Sequence, residues 1–298
     1  MRAGVIRNPR SHAHRRGKGA AHDPPEALVA APASSRELAA ELDRFERAGV
    51  ELLVIDGGDG TVREVLSALP AAFRPLLAVI PSGKTNILAS DLGAPRGWTA
   101  QAAHAAAVAG RTLVRAPLRV ERQDGPVMHG FVFGAAGFVR TIARSQRLHV
   151  AGVFHEAVVA LGLLGAVGSL MVRGRGSELG AGEHLELRID GGEARGGPRL
   201  ATLATTLERL PFGMLPFGPV RPGLKVLDVD APPERFIAAL GRLLRGEDDA
   251  WLETRGYRRS AAQRLSLSLT GPYVLDGETY PGGDIVLTEG PPLRFVVP

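Results

Sequence analysis

The chain contains no cysteine. Disulfides, thiolate metal sites and thiol nucleophiles are thereby excluded, and composition leaves the redox compartment open. Lysine is nearly missing as well: the formal charge of +5 comes from arginine, with lysine only at Lys18, Lys84 and Lys225. Three tyrosines and two tryptophans offer little stacking surface. With no helix-turn-helix, zinc or RNA-binding signature beside them, nucleic acid is not an expected partner. The apolar stretch "AVVALGLLGAVGSLMV" at 157–172 stops at Arg173, short of the ~20 residues that a transmembrane helix needs. The start, "MRAGVIRNPRS", lacks the apolar core of a signal peptide. A cytoplasmic protein is expected.

What is present suits a packed fold. At 298 residues and 45% hydrophobic content, the chain can build one large or two ordinary domains. Its basic balance favours anionic partners such as acidic phospholipid or nucleotide phosphates. From 1 to 116 short apolar runs alternate with helical ones: "AGVI", "EALVAA", a helix near 35–48, "ELLVID", a helix near 61–69, "PLLAVI", then helices near 85–92 and 98–109. This βαβ order predicts an α/β domain with a parallel sheet. From 117 to 298 the segments shorten and alternate, as in "HLELRID", "LKVLDVD", "RLSLSLT" and "DIVLTEG", which predicts a second, mostly antiparallel β domain.

Two glycine turns carry the chemistry. "PSGKTN" at 81–86 ends in the spelling of a nucleotide P-loop, but Ala78 stands where that motif requires its first glycine. "ELLVIDGGDGTVREVLSAL" at 51–69 is the stronger signal. A buried strand ends in Asp56, glycines bend the chain, and Thr61 with Glu64 predicts a capping box opening a helix. Gly57, Gly58 and Gly60 leave room for a ligand at the backbone, and a helix N-terminus there favours phosphate. Asp59 in such a place would repel phosphate unless it binds a metal ion or takes a proton. Successive strand–glycine–helix units put both turns at the carboxyl ends of parallel strands, where open α/β sheets bind ligands.

Taken together, "NPRS" at 8–11, "GGDGT" at 57–61, "PSGKTN" at 81–86 and "LDGETY" at 275–280 resemble the ordered motifs of the diacylglycerol kinase catalytic family, which includes sphingosine and ceramide kinases and shares its nucleotide domain with NAD kinases. The resemblance implies a nucleotide-binding α/β domain joined to a β-sandwich lipid-substrate domain, with the last strand returning to the first domain. It also implies ATP as co-substrate with Mg²⁺. The nucleotide would be lined by Asn8, by Gly57, Gly58, Gly60 and Thr61, and by Gly83, Thr85 and Asn86. Arg10, Arg15, Arg16 and Lys18 would clamp its phosphates, and Lys84 either joins them or is an ordinary exposed lysine. Asp59 and Glu278 are the expected catalytic carboxylates, one binding metal or acting as base and the other complementing it. Asp276 is either a second metal ligand or a turn residue.

Two departures from the family pattern stand out. Ile87 follows Asn86 where bacterial diacylglycerol kinases usually carry aspartate, which leans toward a ceramide or sphingoid-base acceptor. His12 stands where the first loop usually has glycine. The expected activity is transfer of the γ-phosphoryl group of ATP to a lipid hydroxyl; the alternatives are a diacylglycerol kinase, an NAD kinase and a non-catalytic binder. The protein is expected to associate peripherally with the anionic inner face of the membrane; the apolar segments 151–172 and 210–217, with Arg140, Arg144, Arg147, Arg173 and Arg209 near them, either form that docking surface or belong to the core.

Overall fold

A computed structural model of the protein describes residues 1–17, 22–137, 139, 182–219, 221–247 and 250–298. The chain divides into two compact units. Unit 1 takes Met1–Pro117, Met128–Gly130 and Gly290–Pro298; unit 2 takes Leu118–Val127 and Phe131–Glu289. In chain order the strands are β1 (Ala3–Arg7), β2 (Leu28–Ala30), β3 (Leu52–Gly57), β4 (Leu76–Pro81), β5 (Thr112–Arg115), β6 (Leu118–Arg122), β7 (Met128–Gly130), β8 (Val132–Ala135), β9 (Glu183–Ile189), β10 (Arg195–Thr205), β11 (Leu224–Asp230), β12 (Tyr257–Ala262), β13 (Arg264–Leu269), β14 (Tyr273–Leu275), β15 (Glu278–Tyr280), β16 (Gly283–Glu289) and β17 (Leu293–Val296). The helices of unit 1 are α1 (His12–Arg15), α2 (Ser35–Arg47), α3 (Asp59–Ala68), α4 (Ile87–Asp91) and α5 (Ala100–Val108).

Unit 1 is a 6-stranded sheet in the order β2-β1-β3-β4-β17-β5. The first four strands run parallel, and β17 pairs in parallel with β4 and antiparallel with β5. Both faces are covered, which is why the central strands read as unbroken apolar runs; every residue of β3 is buried. On one face Ala3, Val5, Leu52, Val54, Ala78 and Ile80 cluster with Trp98 and the alanines of α5. On the other, Phe45 of α2 lies over Gly4, where a Cβ would come within 2.7 Å of the ring. Helix α2 begins where its sequence directs: Ser34 Oγ accepts from Glu37 N at 3.2 Å, while the Glu37 carboxylate accepts from Ala33 N at 2.8 Å. Leu38, Leu42 and Phe45 then form its buried stripe.

Unit 2 is antiparallel in every described pairing. Its strands join in one curled sheet, in which β15, β14, β8, β10, β9, β13, β16 and β6 follow one another and β11 links β10 to β12. Strands such as β13, "RLSLSL", alternate buried leucine with more exposed residues, as one-sided strands should. The more central β11 is buried almost throughout. The segment Phe236–Arg245, read as β-domain sequence above, is a helix whose Phe236, Ala239, Leu240 and Leu243 are buried. No helix among the described residues is long and apolar enough to cross a membrane.

Candidate active site

Strands β3 and β4 lie side by side in parallel, with Gly57 opposite Pro81 at their carboxyl ends. The chain leaves β3 through Gly58 into α3, and leaves β4 through the turn at 82–86 into α4. These two turns touch glycine to glycine. A Cβ on Gly83 would lie 2.4 Å from Gly58 Cα, and a Cβ on Gly58 would lie 2.9 Å from Gly83 Cα. Gly57 is as constrained, since a Cβ there would meet the Thr61 side chain at 2.5 Å. The sequence reading has these glycines leave room for a ligand at the backbone; in the structure the Cβ direction of Gly57 faces Thr61 and that of Gly58 faces Gly83.

The start of α3 corrects one expectation. Its N-cap is Gly58, without a side-chain cap, and Asp59 already lies in the first turn. Thr61 is therefore inside the helix and forms no capping box with the exposed Glu64; its Oγ1 instead accepts from Asn8 Nδ2 at 2.9 Å. The helix starts three residues earlier than a Thr61 cap would have it, and Thr61 faces the loop that follows β1. Asn8 also holds that loop from within, its Oδ1 accepting from Arg10 N at 2.9 Å.

Asn86 closes the second turn. It adopts a left-handed conformation at φ 52°, which asparagine tolerates better than most residues. Its Oδ1 accepts from Gly83 N at 2.8 Å and its Nδ2 donates to Gly83 O at 3.0 Å. The next helix starts immediately, and the Asp59 carboxylate accepts from Leu88 N at 3.4 Å. Asp59 thus bridges the glycine turn of β3 and the first residues of α4. Burial pushes its carboxyl up from 3.8 to about 6, against the opposing pull of the backbone amides of Leu88, Ile87 and Asn86. A carboxyl held near 6 can exchange a proton at neutral pH.

The most connected residue at this edge is one to which sequence reasoning gave no role. Asp56 is 2% exposed, and its carboxylate accepts from Ser82 Oγ at 2.5 Å, from Arg7 Nε at 3.0 Å and from His14 Nε2 at 2.9 Å. Arg7 is shared with Asp23. A signal existed: a carboxylate closing a fully apolar strand must be paired once buried, and arginine and histidine lie in the first loop. What the sequence could not supply is the register that places Arg7 opposite Asp56.

Of the basic residues expected around phosphate, Arg10, Arg15, Arg16 and Lys84 are exposed beside these turns. Gly60 lies in the first turn of α3 and Thr85 in the turn after β4. Lys18 lies outside the described residues, as do Arg140, Arg144, Arg147, Arg173 and the segment 151–172.

The remaining predicted residues belong to unit 2. Asp276 and Gly277 form the two-residue turn between β14 and β15, at φ 48° and 85°, the geometry for which an Asp-Gly pair is suited. Both carboxylate oxygens of Asp276 accept from Phe131 N, at 3.0 and 3.1 Å, and Oδ1 also accepts from Val132 N at 2.9 Å. The turn reading of Asp276 therefore accounts for its geometry. Glu278, first in β15, is exposed. The loop at 210–217 is fixed to its own unit: Phe217 is 9% exposed, Leu215 N donates to Leu244 O at 2.9 Å, and Arg259 Nε donates to Pro216 O at 2.8 Å. The Phe212 side chain lies outside what is described. Among the described residues, no group of three or more His, Cys, Asp or Glu side chains is arranged to hold a metal ion.

An open α/β unit with two apposed glycine turns at the carboxyl ends of neighbouring parallel strands belongs to the class of folds that take ligands at that edge. Comparison with known proteins narrows the class. Residues 4–116 match the diacylglycerol kinase catalytic domain. A curated diacylglycerol kinase of Bacillus subtilis (strain 168) is 36% identical over an alignment that covers 23% of this chain and 33% of that protein. The chain thus spans about a third of the length of this relative. Two solved structures from Bacillus anthracis str. Sterne, one described as a putative diacylglycerol kinase and the other as a diacylglycerol kinase, are similar in fold. One superposes with a TM-score of 0.71 at 18% identity, covering 100% of this chain and 95% of its own. The other gives 0.65 at 16%, covering 100% and 97%.

Proposed function

We propose that the protein is an ATP-dependent lipid kinase that moves the γ-phosphoryl group of ATP to a hydroxyl of a membrane lipid. The observation that carries this reading is the Gly58–Gly83 contact, which joins the GGDGT and PSGKTN turns into one surface, inside the segment that matches the diacylglycerol kinase catalytic domain. The first-turn N–H groups of α3 have no acceptor within the helix and suit a phosphate there. Arg10, Arg16 and Lys84 are exposed nearby and can reach its charge. Asp59 is assigned the role of accepting the proton of the attacking hydroxyl, a role supported by a carboxyl raised to about 6, mostly ionised yet basic enough at neutral pH. Glu278 is assigned the complementary role on the strength of its motif alone.

Mg²⁺ fits in the manner usual for nucleotide enzymes, held mainly by phosphates and water with one or two carboxylates. Asp59 would be its candidate protein ligand, a role alternative to that of base, and like Asp276 its carboxylate already takes backbone amides; the ion would neutralise phosphate charge. Asp276, with its oxygens occupied by backbone amides, is a poor second ligand. An acceptor in the bilayer places the enzyme peripherally on the anionic inner face of the membrane.

The acceptor proposed from the sequence is ceramide or a sphingoid base, on the apolar Ile87. Burial of Ile87 at 7% exposure gives that side chain a packing reason as well, and the curated relative favours a second reading, diacylglycerol. The test is γ-labelled ATP offered to ceramide, sphingoid base, diacylglycerol and NAD in parallel under matched micelle conditions. Label in one of the lipids supports the kinase reading and names its acceptor; label in NAD alone, or in none, refutes it.

A further inference from the structure

Four separated pieces of unit 1 meet on one buried carboxylate. Arg7 is the last residue of β1, Asp56 lies near the end of β3, Ser82 opens the turn after β4, and His14 sits in α1. Oδ1 of Asp56 takes the Ser82 hydroxyl, and Oδ2 takes both Arg7 Nε and His14 Nε2. An ionised carboxylate only accepts, so His14 meets it with a protonated Nε2. Backbone bonds run alongside: Asn8 N donates to Asp56 O at 2.9 Å, Ala13 N to Ser82 O at 2.9 Å, and Ser82 N to Gly57 O at 3.2 Å.

We propose that Asp56 is a positioning residue for nucleotide binding, a buried hub that fixes the first loop, the GGDGT turn and the PSGKTN turn relative to one another through Arg7, His14 and Ser82. The inference rests on the kinase reading of this site and assigns it residues outside its four motifs, apart from Ser82. Two consequences follow from the geometry. Ser82 directly precedes Gly83, whose contact with Gly58 has no slack for a Cβ, so the Asp56–Ser82 bond holds the turns in apposition. His14 directly precedes the exposed Arg15 and Arg16, so its bond to Asp56 decides where α1 presents two cations to phosphate. A carboxylate in a phosphate site would ordinarily repel the ligand. Here Arg7 and the hydrogen-bonding donors screen its charge inside the protein.

The experiment compares wild type with Asp56→Ala, His14→Ala and His14→Gln, measuring equilibrium binding of a fluorescent ATP analogue, KM for ATP, KM for the lipid acceptor and the unfolding temperature. Both alanine variants are expected to weaken nucleotide binding and raise KM for ATP about tenfold or more, the scale of a lost charge-assisted hydrogen bond. KM for the lipid should stay at the wild-type value. His14→Gln, which can place an N–H near the position of Nε2, should recover most of the ATP affinity. Should Asp56→Ala fail to fold, the His14 pair decides alone. Folded His14→Ala with wild-type ATP affinity, or with ATP and lipid KM raised equally, overturns the proposal, as does a glutamine variant no better than alanine. Wild-type protein that neither binds the ATP analogue nor labels any lipid overturns the kinase reading itself, an outcome separate from any difference among variants.

Discussion

Gly58 and Gly83 stand back to back, so close that a Cβ on Gly83 would lie 2.4 Å from Gly58 Cα and 2.8 Å from Asn86 Oδ1. Neither neighbour can yield easily: one is backbone, and the other is the oxygen that closes the turn. Gly83→Ala is therefore expected to cost about 1–3 kcal/mol, as overpacking does, and to remove ATP-dependent activity by prising the turns apart. Gly58→Ala, with its nearest contact at 2.9 Å, should cost less. Urea denaturation of both variants checks the order, and a Gly83→Ala protein with wild-type stability and activity would show that the turns need not touch.

Asp59 links stability and activity to pH. Its carboxyl titrates near 6 in the fold against an ordinary 3.8, so the folded state holds this proton more tightly than the unfolded chain. The group favours folding most at low pH, loses that contribution as pH rises from about 4 to about 6, and is a net cost above 6. Asp59→Asn should erase this dependence and be at least as stable as wild type at pH 7. Activity should fall by at least ~10²-fold because the proposed proton acceptor is gone, and wild-type kcat should climb through about pH 6. Near-normal turnover in folded Asp59→Asn would remove Asp59 from the chemistry.

Asp276 is expected to act on the fold and not on the metal. Asp276→Ala deletes the acceptor for the Phe131 and Val132 amides, which should lower stability by about 1–3 kcal/mol. Asp276→Asn, which keeps one acceptor oxygen, should lose less. The apparent requirement for Mg²⁺ should be the same in all folded forms. A several-fold rise in that requirement in Asp276→Asn would restore the metal role.

Phe217 separates packing from membrane docking. It is 9% exposed within a loop bonded to its own unit, so Phe217→Ser should cost about 3–5 kcal/mol or somewhat less, in the range of large core truncations. Binding of the still-folded fraction to anionic vesicles should not change. Loss of vesicle binding at wild-type thermal stability would give the loop back to the bilayer.

Much of unit 1 was legible because its elements are local statements. Ser34, Glu37 and the Leu38–Leu42–Phe45 stripe specify α2, and the apolar run before Gly57 specifies β3. Both glycine turns were legible as turns, and Asp59 as an anomaly. The reason for Gly57 and Gly58 was not, because the contact of Gly58 with Gly83 and of Gly57 with Thr61 exists only after the strands pair. The Asp56 hub was hidden for the same reason: its donors are 26, 42 and 49 residues away in sequence. Helix Phe236–Arg245 was passed over in a region read as β, although Phe236, Ala239, Leu240 and Leu243 carry its period. In "LPFGMLPFGPV" the apolar content was plain, but whether Phe217 faces core or lipid depends on Leu244 and Arg259, which lie beyond the segment.

We propose that the apposed turns transfer phosphate from ATP to a lipid hydroxyl with Asp59 as the reacting carboxylate. The most direct measurement is the amount of label that moves from γ-labelled ATP into solvent-extractable lipid, for wild type and for Asp59→Asn at matched folded concentration. A phosphorylated lipid is expected with wild type, and at most about a hundredth of that rate with the variant. Equal label from both proteins, or none in lipid from wild type across ceramide, sphingoid base and diacylglycerol, would contradict it.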